Sequence, residues 1–243
     1  MHNKNGLTAR MEPFDSFWEG PENINKGYIS FEKFYERNYL KYIPENREIS
    51  ILVVSCGPGY LLNVLKKRGY RNIFGIDSDP EKIRYARVNG FKCEVANAFN
   101  FLNKRDKIFD VIFAEQEINH LTKNEIIEFL GLCWHNLKKE GIMILHSLNG
   151  ANPITGSEAL SQNLDHYNTF TEYSLKQILQ LSRFHKIRVI PLNLYVFYEN
   201  PLNYLGLFLD ALLTLIFRIS FIFYGKSNRI FSKKIASISQ KKI

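Results

Sequence analysis

Residues 51–60 read ILVVSCGPGY. An apolar run of strand length breaks into a turn with two glycines, Gly57 and Gly59, and resumes as YLLNVLKKRG, a helix that stops at Gly69. A glycine turn between strand and helix lets backbone approach a ligand without a Cβ clash and aims the helix's first amides at it. The full run ISILVVS (49–55) is almost wholly apolar, as a parallel strand buried on both faces requires.

The same alternation continues downstream. NIFGID is a second strand ending in Asp77, and DPEKIRYARVNG is a helix with Pro80 in its first turn and Gly90 at its end. FKCEVAN, KIFDVIFA and IMILHSL read as the third, fourth and fifth strands, with a helix over NEIIEFLGLCWHNLKKEG before the last of them. TEYSLKQILQL is a further helix, and FHKIRVIPLNLYVFYE reads as two strands around Pro191 that close the sheet as a hairpin. Strand and helix at βαβ spacing predict an α/β fold with a doubly wound, mostly parallel, seven-stranded sheet. Upstream, ISFEKFYERNYLKYI places aromatic residues three and four apart, an amphipathic helix expected on the sheet edge. The expected organisation is an N-terminal arm (1–27), one α/β domain (28–200) and an apolar, then basic, helical extension (201–243).

Composition fits that reading. The chain has 243 residues, 45% of them hydrophobic and 23% charged, which excludes a wholly disordered protein. The net charge of +8 is concentrated: Lys226, Arg229, Lys233, Lys234, Lys241 and Lys242 lie beyond Gly225 with no acidic residue among them. That placement argues against nucleic acid along the body and for an anionic surface met by the C-terminal segment. Cys56, Cys93 and Cys133 are scattered and read as reduced thiols of a cytosolic protein. The N-terminus has no apolar stretch of signal-peptide length.

The turn itself restricts the ligand. Dinucleotide folds carry GxGxxG, whose third glycine allows close helix packing. Counted from Gly57, that position is Leu62. Asp77 stands twenty residues after Gly57, where a carboxylate can accept from both ribose hydroxyls, so the ligand is an adenosine compound.

The assembled order, VVSCGPGYLLNVLKKRGYRNIFGIDSDPEKIRYAR, FKCEVANAFNFL, FDVIFAEQEINHL and LKKEGIMIL, resembles the class I S-adenosylmethionine (SAM)-dependent methyltransferases. With DHYNTFTEYSLKQIL and the apolar, basic C-terminus, the chain is similar to the small methyltransferases of bacterial O-antigen and capsular polysaccharide gene clusters. The resemblance implies SAM as cofactor and the Rossmann-like methyltransferase fold. It implies that Ser55, Gly57 and Gly59 line the methionine part, that Asp77 holds the ribose, and that Asn97 and Ala98 flank the adenine. Phe113, Ala114 and Glu115 would face the sulfonium. The chain departs from the family pattern at Val53, where an acid is usual, at Ser55, where glycine is usual, and at Asn97, where aspartate is common.

Methyl transfer needs alignment in a dry site and benefits from a base on the acceptor hydroxyl. His120, after the fourth strand, and Asp165 with His166, in the long loop after the fifth, are the catalytic candidates; His120 packing at a helix start is an equal alternative. Glu117 reads as a rim residue or a surface charge. No HxH, HExxH or comparable metal spacing is present in the sequence, so a metal-independent reaction is the expectation.

The implied acceptor is a sugar of a cell-surface polysaccharide or its lipid-linked precursor. A small apolar acceptor such as a quinone, and a non-catalytic membrane-associated binding protein with a degenerate SAM site, are the alternatives. The stretch 202–224 is long enough to span a bilayer but carries Asp210, Thr214 and Arg218 on one stripe. It predicts an interfacial helix on the inner face of the cytoplasmic membrane, or alternatively a core extension or homodimer interface.

Overall fold

A computed structural model describes residues 24–104, 108–115, 117–161, 166–192 and 202–242. Seven strands run β1 Ser50–Val54, β2 Asn72–Asp77, β3 Cys93–Val95, β4 Phe109–Glu115, β5 Leu137–Leu148, β6 Phe184–Pro191 and β7 Lys234–Lys241. The helices are α1 Ile24–Asn38, α2 Tyr60–Lys67, α3 Pro80–Val88, α4 Ala98–Asn103, α5 Lys123–Asn136, the single turn α6 Glu158–Ser161, α7 Glu172–Leu181 and α8 Leu202–Phe223.

The strands form one sheet in the order β3-β2-β1-β4-β5-β7-β6. The first five are parallel, β7 runs antiparallel to β5, and β6 pairs antiparallel with β7. Strand order therefore reverses between β1 and β4, and ligands of such sheets bind outside the carboxyl ends at that reversal.

Local chemistry explains the elements. Asp79 caps α3, accepting from the amides of Glu81 and Lys82, with Pro80 behind it. Thr122 and Glu125 form a capping box that opens α5, and Thr171 opens α7 in the same way. Alternate residues of the buried strands serve opposite faces of the sheet: Ile51 and Val53 belong to one apolar cluster, Leu52 and Val54 to the other.

Three expectations are corrected. Helix α1 begins at Ile24, inside the segment expected to be an arm, and it lies over the turn after β1 instead of the sheet edge. Tyr28 donates its hydroxyl to the carbonyl of Pro58, and Phe31 stacks on Tyr60 with ring centroids 4.8 Å apart. Phe31, Phe34, Tyr35 and Tyr39 bring the apolar area that holds α1 there.

The second correction concerns the hairpin expected around Pro191. β6 ends at Pro191, and its expected continuation (193–200) lies outside the described residues. The position beside β6 belongs to β7, built from KIASISQK.

The third follows from it. Residues 201–243 are not an extension after the domain, because α8 is inserted between β6 and β7 and the chain then returns to the interior of the sheet. Ile235 and Ala236 are fully buried there, and Lys241 donates to the carbonyl of Leu137 at 2.7 Å.

Candidate active site

The turn after β1 is held from two sides by carboxylates. Asp77, at the end of β2, accepts from the Gly57 amide at 2.8 Å and from the Asp79 amide at 2.9 Å. Glu117, in the short 3-10 turn after β4, accepts from the Ser55 hydroxyl at 2.5 Å. Each carboxylate oxygen has a second lone pair, so both groups can accept from a ligand while keeping the turn in place.

Backbone conformation accounts for the residues in the turn. Ser55 has φ +55°, a left-handed conformation that costs a non-glycine residue roughly 1–2 kcal/mol. Its bond to Glu117 offsets part of that. Gly57 has φ +54° with no atom within 4 Å of where a Cβ would stand, so the backbone here faces open space that a ligand can enter. Gly59 has φ +95°, and a Cβ there would lie 2.8 Å from the Phe91 ring. Leu62, where a dinucleotide fold has glycine, packs over Gly75 of β2; a Cβ on Gly75 would lie 2.8 Å from the Leu62 side chain. The close packing that a helix glycine would allow is supplied from the strand.

Asn97 caps α4, its side-chain oxygen accepting from the Phe99 amide at 3.0 Å, and Ala98 is buried as the first residue of that helix. Phe113 and Ala114 correct the expectation that they face the reacting centre. Both are buried, on opposite faces of the sheet, because β4 is covered on both sides; Phe113 packs edge-on against Tyr39 at 4.8 Å. Only Glu115 reaches the carboxyl edge.

Glu115 is held by two donors. Tyr35 of α1 donates its hydroxyl at 2.6 Å, and the Nδ1 of His146 on β5 lies 3.1 Å away. Burial opposes ionisation of Glu115, but the hydrogen bond from His146, then that from the Tyr35 hydroxyl, hold its carboxyl below the ordinary range. Burial likewise depresses His146, and the favourable Glu115 contact does not fully compensate, with Lys234 adding to the depression. A neutral His146 donating to an ionised Glu115 is the consistent arrangement, and with Tyr35 it ties α1 to the sheet.

The sign of the pH dependence follows. Where a folded-state pKa lies below the unfolded one, the unfolded chain binds more protons, so stability falls as pH falls. For His146 the loss begins near the ordinary imidazole value of 6.5, and for Glu115 near 4.5. Thermal melts between neutral and weakly acidic pH are expected to show a falling midpoint. The His146→Gln variant is expected to flatten the part that begins at the imidazole value; an unchanged profile would remove this assignment.

His120 and His166 meet on the same rim, ring centroids 4.6 Å apart. Buried Asn119 positions both, accepting from the Leu148 amide at 3.3 Å and donating to the Asn168 carbonyl at 2.6 Å. His166 Nδ1 donates to the Ala159 carbonyl at 2.7 Å. Asp165 lies outside the described residues. Sequence spacing does not reveal the Ser55–Glu117 and Tyr35–Glu115–His146 contacts, because each joins distant segments with no local pattern to mark them.

A parallel sheet reversing at β1 and β4, with an acid ending β2 and antiparallel β7 inserted beside β5, is the fold of class I SAM-dependent methyltransferases. Comparison with known proteins agrees. A family model described as a methyltransferase domain matches residues 51–141. Two curated relatives, ubiquinone biosynthesis O-methyltransferases of Rhodopseudomonas palustris and Rickettsia prowazekii, are each 28% identical over 106 residues, 42% of this chain. The chain spans only 40% and 41% of the length of those relatives.

Among solved structures, a SAM-dependent methyltransferase from Archaeoglobus fulgidus matches with TM-score 0.65 and 19% identity, over 88% of this chain and 94% of that one. Haemonchus contortus phosphoethanolamine N-methyltransferase 2 in complex with SAM matches with TM-score 0.56 and 14% identity, over 96% and 61%. At these identities the structures give the fold. The matched domain adds a likeness to methyltransferases in sequence over residues 51–141.

Proposed function

We propose that the chain transfers the methyl group of SAM to a hydroxyl oxygen of a lipid-carried acceptor. The observation that carries the cofactor half is the glycine turn bracketed by Asp77 and Glu117. SAM supplies an activated methyl on a cationic sulfur and presents a ribose and an ammonium, which call for carboxylate acceptors on two sides of one turn. In this reading Asp77 accepts from the ribose hydroxyls. Glu117, fixed by Ser55, provides the negative charge for the amino acid end that Val53 cannot provide. The open space at Gly57 is consistent with a ligand lying against the backbone.

The proton of the acceptor hydroxyl goes to the His120–His166 pair. Glu115 is the poorer base, since its carboxyl is already held ionised by two donors. Its part is to fix α1, whose Phe31 and Tyr35 wall the site and limit water near the turn.

The acceptor class rests on separate grounds. Similarity of DHYNTFTEYSLKQIL to polysaccharide-cluster methyltransferases favours a sugar hydroxyl on a surface glycan or its lipid-linked precursor. The aromatic wall of α1, and the ubiquinone O-methylation for which the two curated relatives are named, favour a phenolic ring such as a quinol. Methyl transfer from labelled SAM to a lipid-linked saccharide and to a short-chain quinol, assayed in parallel, separates them.

Calorimetric titration tests the cofactor half. The Glu117→Gln variant is expected to bind SAM about tenfold more weakly than the parent chain. Equal affinity would remove Glu117 from the site. Failure of the folded parent chain to bind SAM would overturn methyl transfer and favour a non-catalytic binding protein.

A further inference from the structure

We propose that helix α8 is a membrane-docking element, lying in the headgroup region of an anionic bilayer and holding the rim of the candidate active site against it. The docking stands on the helix and its surroundings alone; its consequence for the acceptor rests on the methyltransferase reading above.

The helix is exposed where a soluble protein would cover it. From Tyr204 to Phe223 the mean hydropathy is 2.0, with 0% of that stretch buried. Phe208 is 64% exposed and Ile222 72%. Monomeric soluble proteins rarely leave a contiguous apolar surface of this extent uncovered. At 3.6 residues per turn, the exposed apolar side chains from Leu205 to Phe223 spread over about half of the helix circumference. A second copy pairing helix to helix would cover a narrow seam of positions three and four apart, leaving much of that arc in water. A planar apolar phase covers all of it.

The opposite stripe is committed to the domain, which explains the polar residues in an otherwise apolar helix. Asp210 and Thr214 turn into a cleft that they line with Pro191, Leu192 and Phe231. Phe217 and Phe221 pack on the Phe231 ring at 6.1 and 4.6 Å. A helix held to the protein along one side lies in the interface instead of crossing it.

Sheet topology then decides which part of the protein faces the membrane. Lys234 at the start of β7 pairs with Leu148 at the end of β5, and Pro191 at the end of β6 pairs with Ile235. The inserted segment therefore leaves and re-enters the sheet at the carboxyl edge, the edge that carries the turn, Glu115 and the two histidines. Asn149 and Asn152, which follow β5, donate to the carbonyls of Ser232 and Phe231 at 2.8 and 2.5 Å, so the insert is tied to that rim.

Charge identifies the surface. Lys226 and Lys233 are exposed just beyond the helix, whereas Arg218 and Arg229 line the cleft with Asp210, the one acid between residues 202 and 242. Cations at the end of an apolar face fit anionic headgroups with acyl chains behind them. On the reading above, such a pose lets a lipid-borne acceptor enter the site without leaving the bilayer.

Vesicle flotation of the full chain tests this. Binding is expected to vesicles of phosphatidylcholine mixed with phosphatidylglycerol, weaker to phosphatidylcholine alone, and reduced by salt. Replacing Leu209, Leu212 and Ile216 by glutamate is expected to abolish flotation while leaving the thermal midpoint and the circular dichroism spectrum unchanged, since these side chains are exposed. Lys226→Gln and Lys233→Gln are each expected to lower partitioning onto anionic vesicles by about fivefold.

A chain that does not float and sediments as a dimer split by the glutamate substitutions would overturn the proposal in favour of a second copy. A monomer that does not float would overturn it outright. Flotation without SAM binding would leave docking standing and remove methyl transfer.

Discussion

Replacing Asp77 by alanine is expected to weaken SAM binding by about a hundredfold or more, read by calorimetry on the purified chain. Hydrogen bonds to an ionised group contribute about 1.5–3 kcal/mol each, and a ribose offers two hydroxyls to this carboxylate. The loss is compounded because the same oxygens hold the amides of Gly57 and Asp79, so the turn loses its shape along with its ribose acceptor. Asp77→Asn separates the two contributions. The asparagine oxygen can still accept from one of those amides while the charge is gone, so an intermediate affinity is expected. Affinity in Asp77→Ala within a few-fold of the parent would mean that the ligand does not use the end of β2, and the adenosine reading would fall with it.

The part of the site that lies within one sequence segment is legible from the amino-acid order alone. Gly57, Gly59 and Asp77 sit on a strand–turn–helix–strand unit whose geometry is set locally, with the glycines in the turn after β1 and the acid at the end of β2. Ser55 and Glu117 are not legible as a pair. They lie sixty-two residues apart, joined because β1 and β4 are neighbours across the reversal of the sheet. The missing acid at Val53 therefore reads as a loss in the sequence, whereas a carboxylate reaches the same turn from the next strand's exit. Leu62 and Gly75 make the same point in packing. The small residue that lets α2 approach the sheet is present, but on the strand side of the contact, where a motif written along one segment does not look.

The candidate acceptor side is less legible. Position late in β4 points Phe113 and Ala114 at the reacting centre, yet a strand covered on both faces buries every residue from Val111 to Ala114. The sequence offers His120 and His166 only singly. Their meeting depends on Asn119, a buried amide that bonds the end of β5 and the loop after it, and nothing in its sequence context distinguishes it from a surface asparagine.

Deleting residues 234–243 is expected to abolish folding, whereas replacing 194–228 by a short glycine-serine linker is expected to leave a folded, SAM-binding domain. The two outcomes separate an insertion from a tail. KIASISQK looks like part of a basic terminus because lysines flank it and only Ile235, Ala236 and Ile238 are apolar. Its small residues are nonetheless what an interior strand between two others can use. Ser237 and Ser239 are fully buried, and β7 pairs along its length with β5 on one side and β6 on the other. Removing it strips the ladder from both neighbours and uncovers apolar area on both faces, a loss exceeding the roughly 5–15 kcal/mol by which domains of this kind are stable.

The helix is different in kind. It contributes no strand, and the strand ends that flank the inserted segment are already neighbours, since the Leu192 amide donates to the Lys234 carbonyl at 3.1 Å. Closing that gap turns β6 and β7 into an ordinary hairpin, with Phe231 and its asparagine ties kept. Far-ultraviolet circular dichroism, thermal melts and SAM titration of the two deletions make the comparison. A folded protein lacking 234–243 would return that segment to the status of a tail, and an unfolded linker variant would make α8 part of the core instead of a surface element.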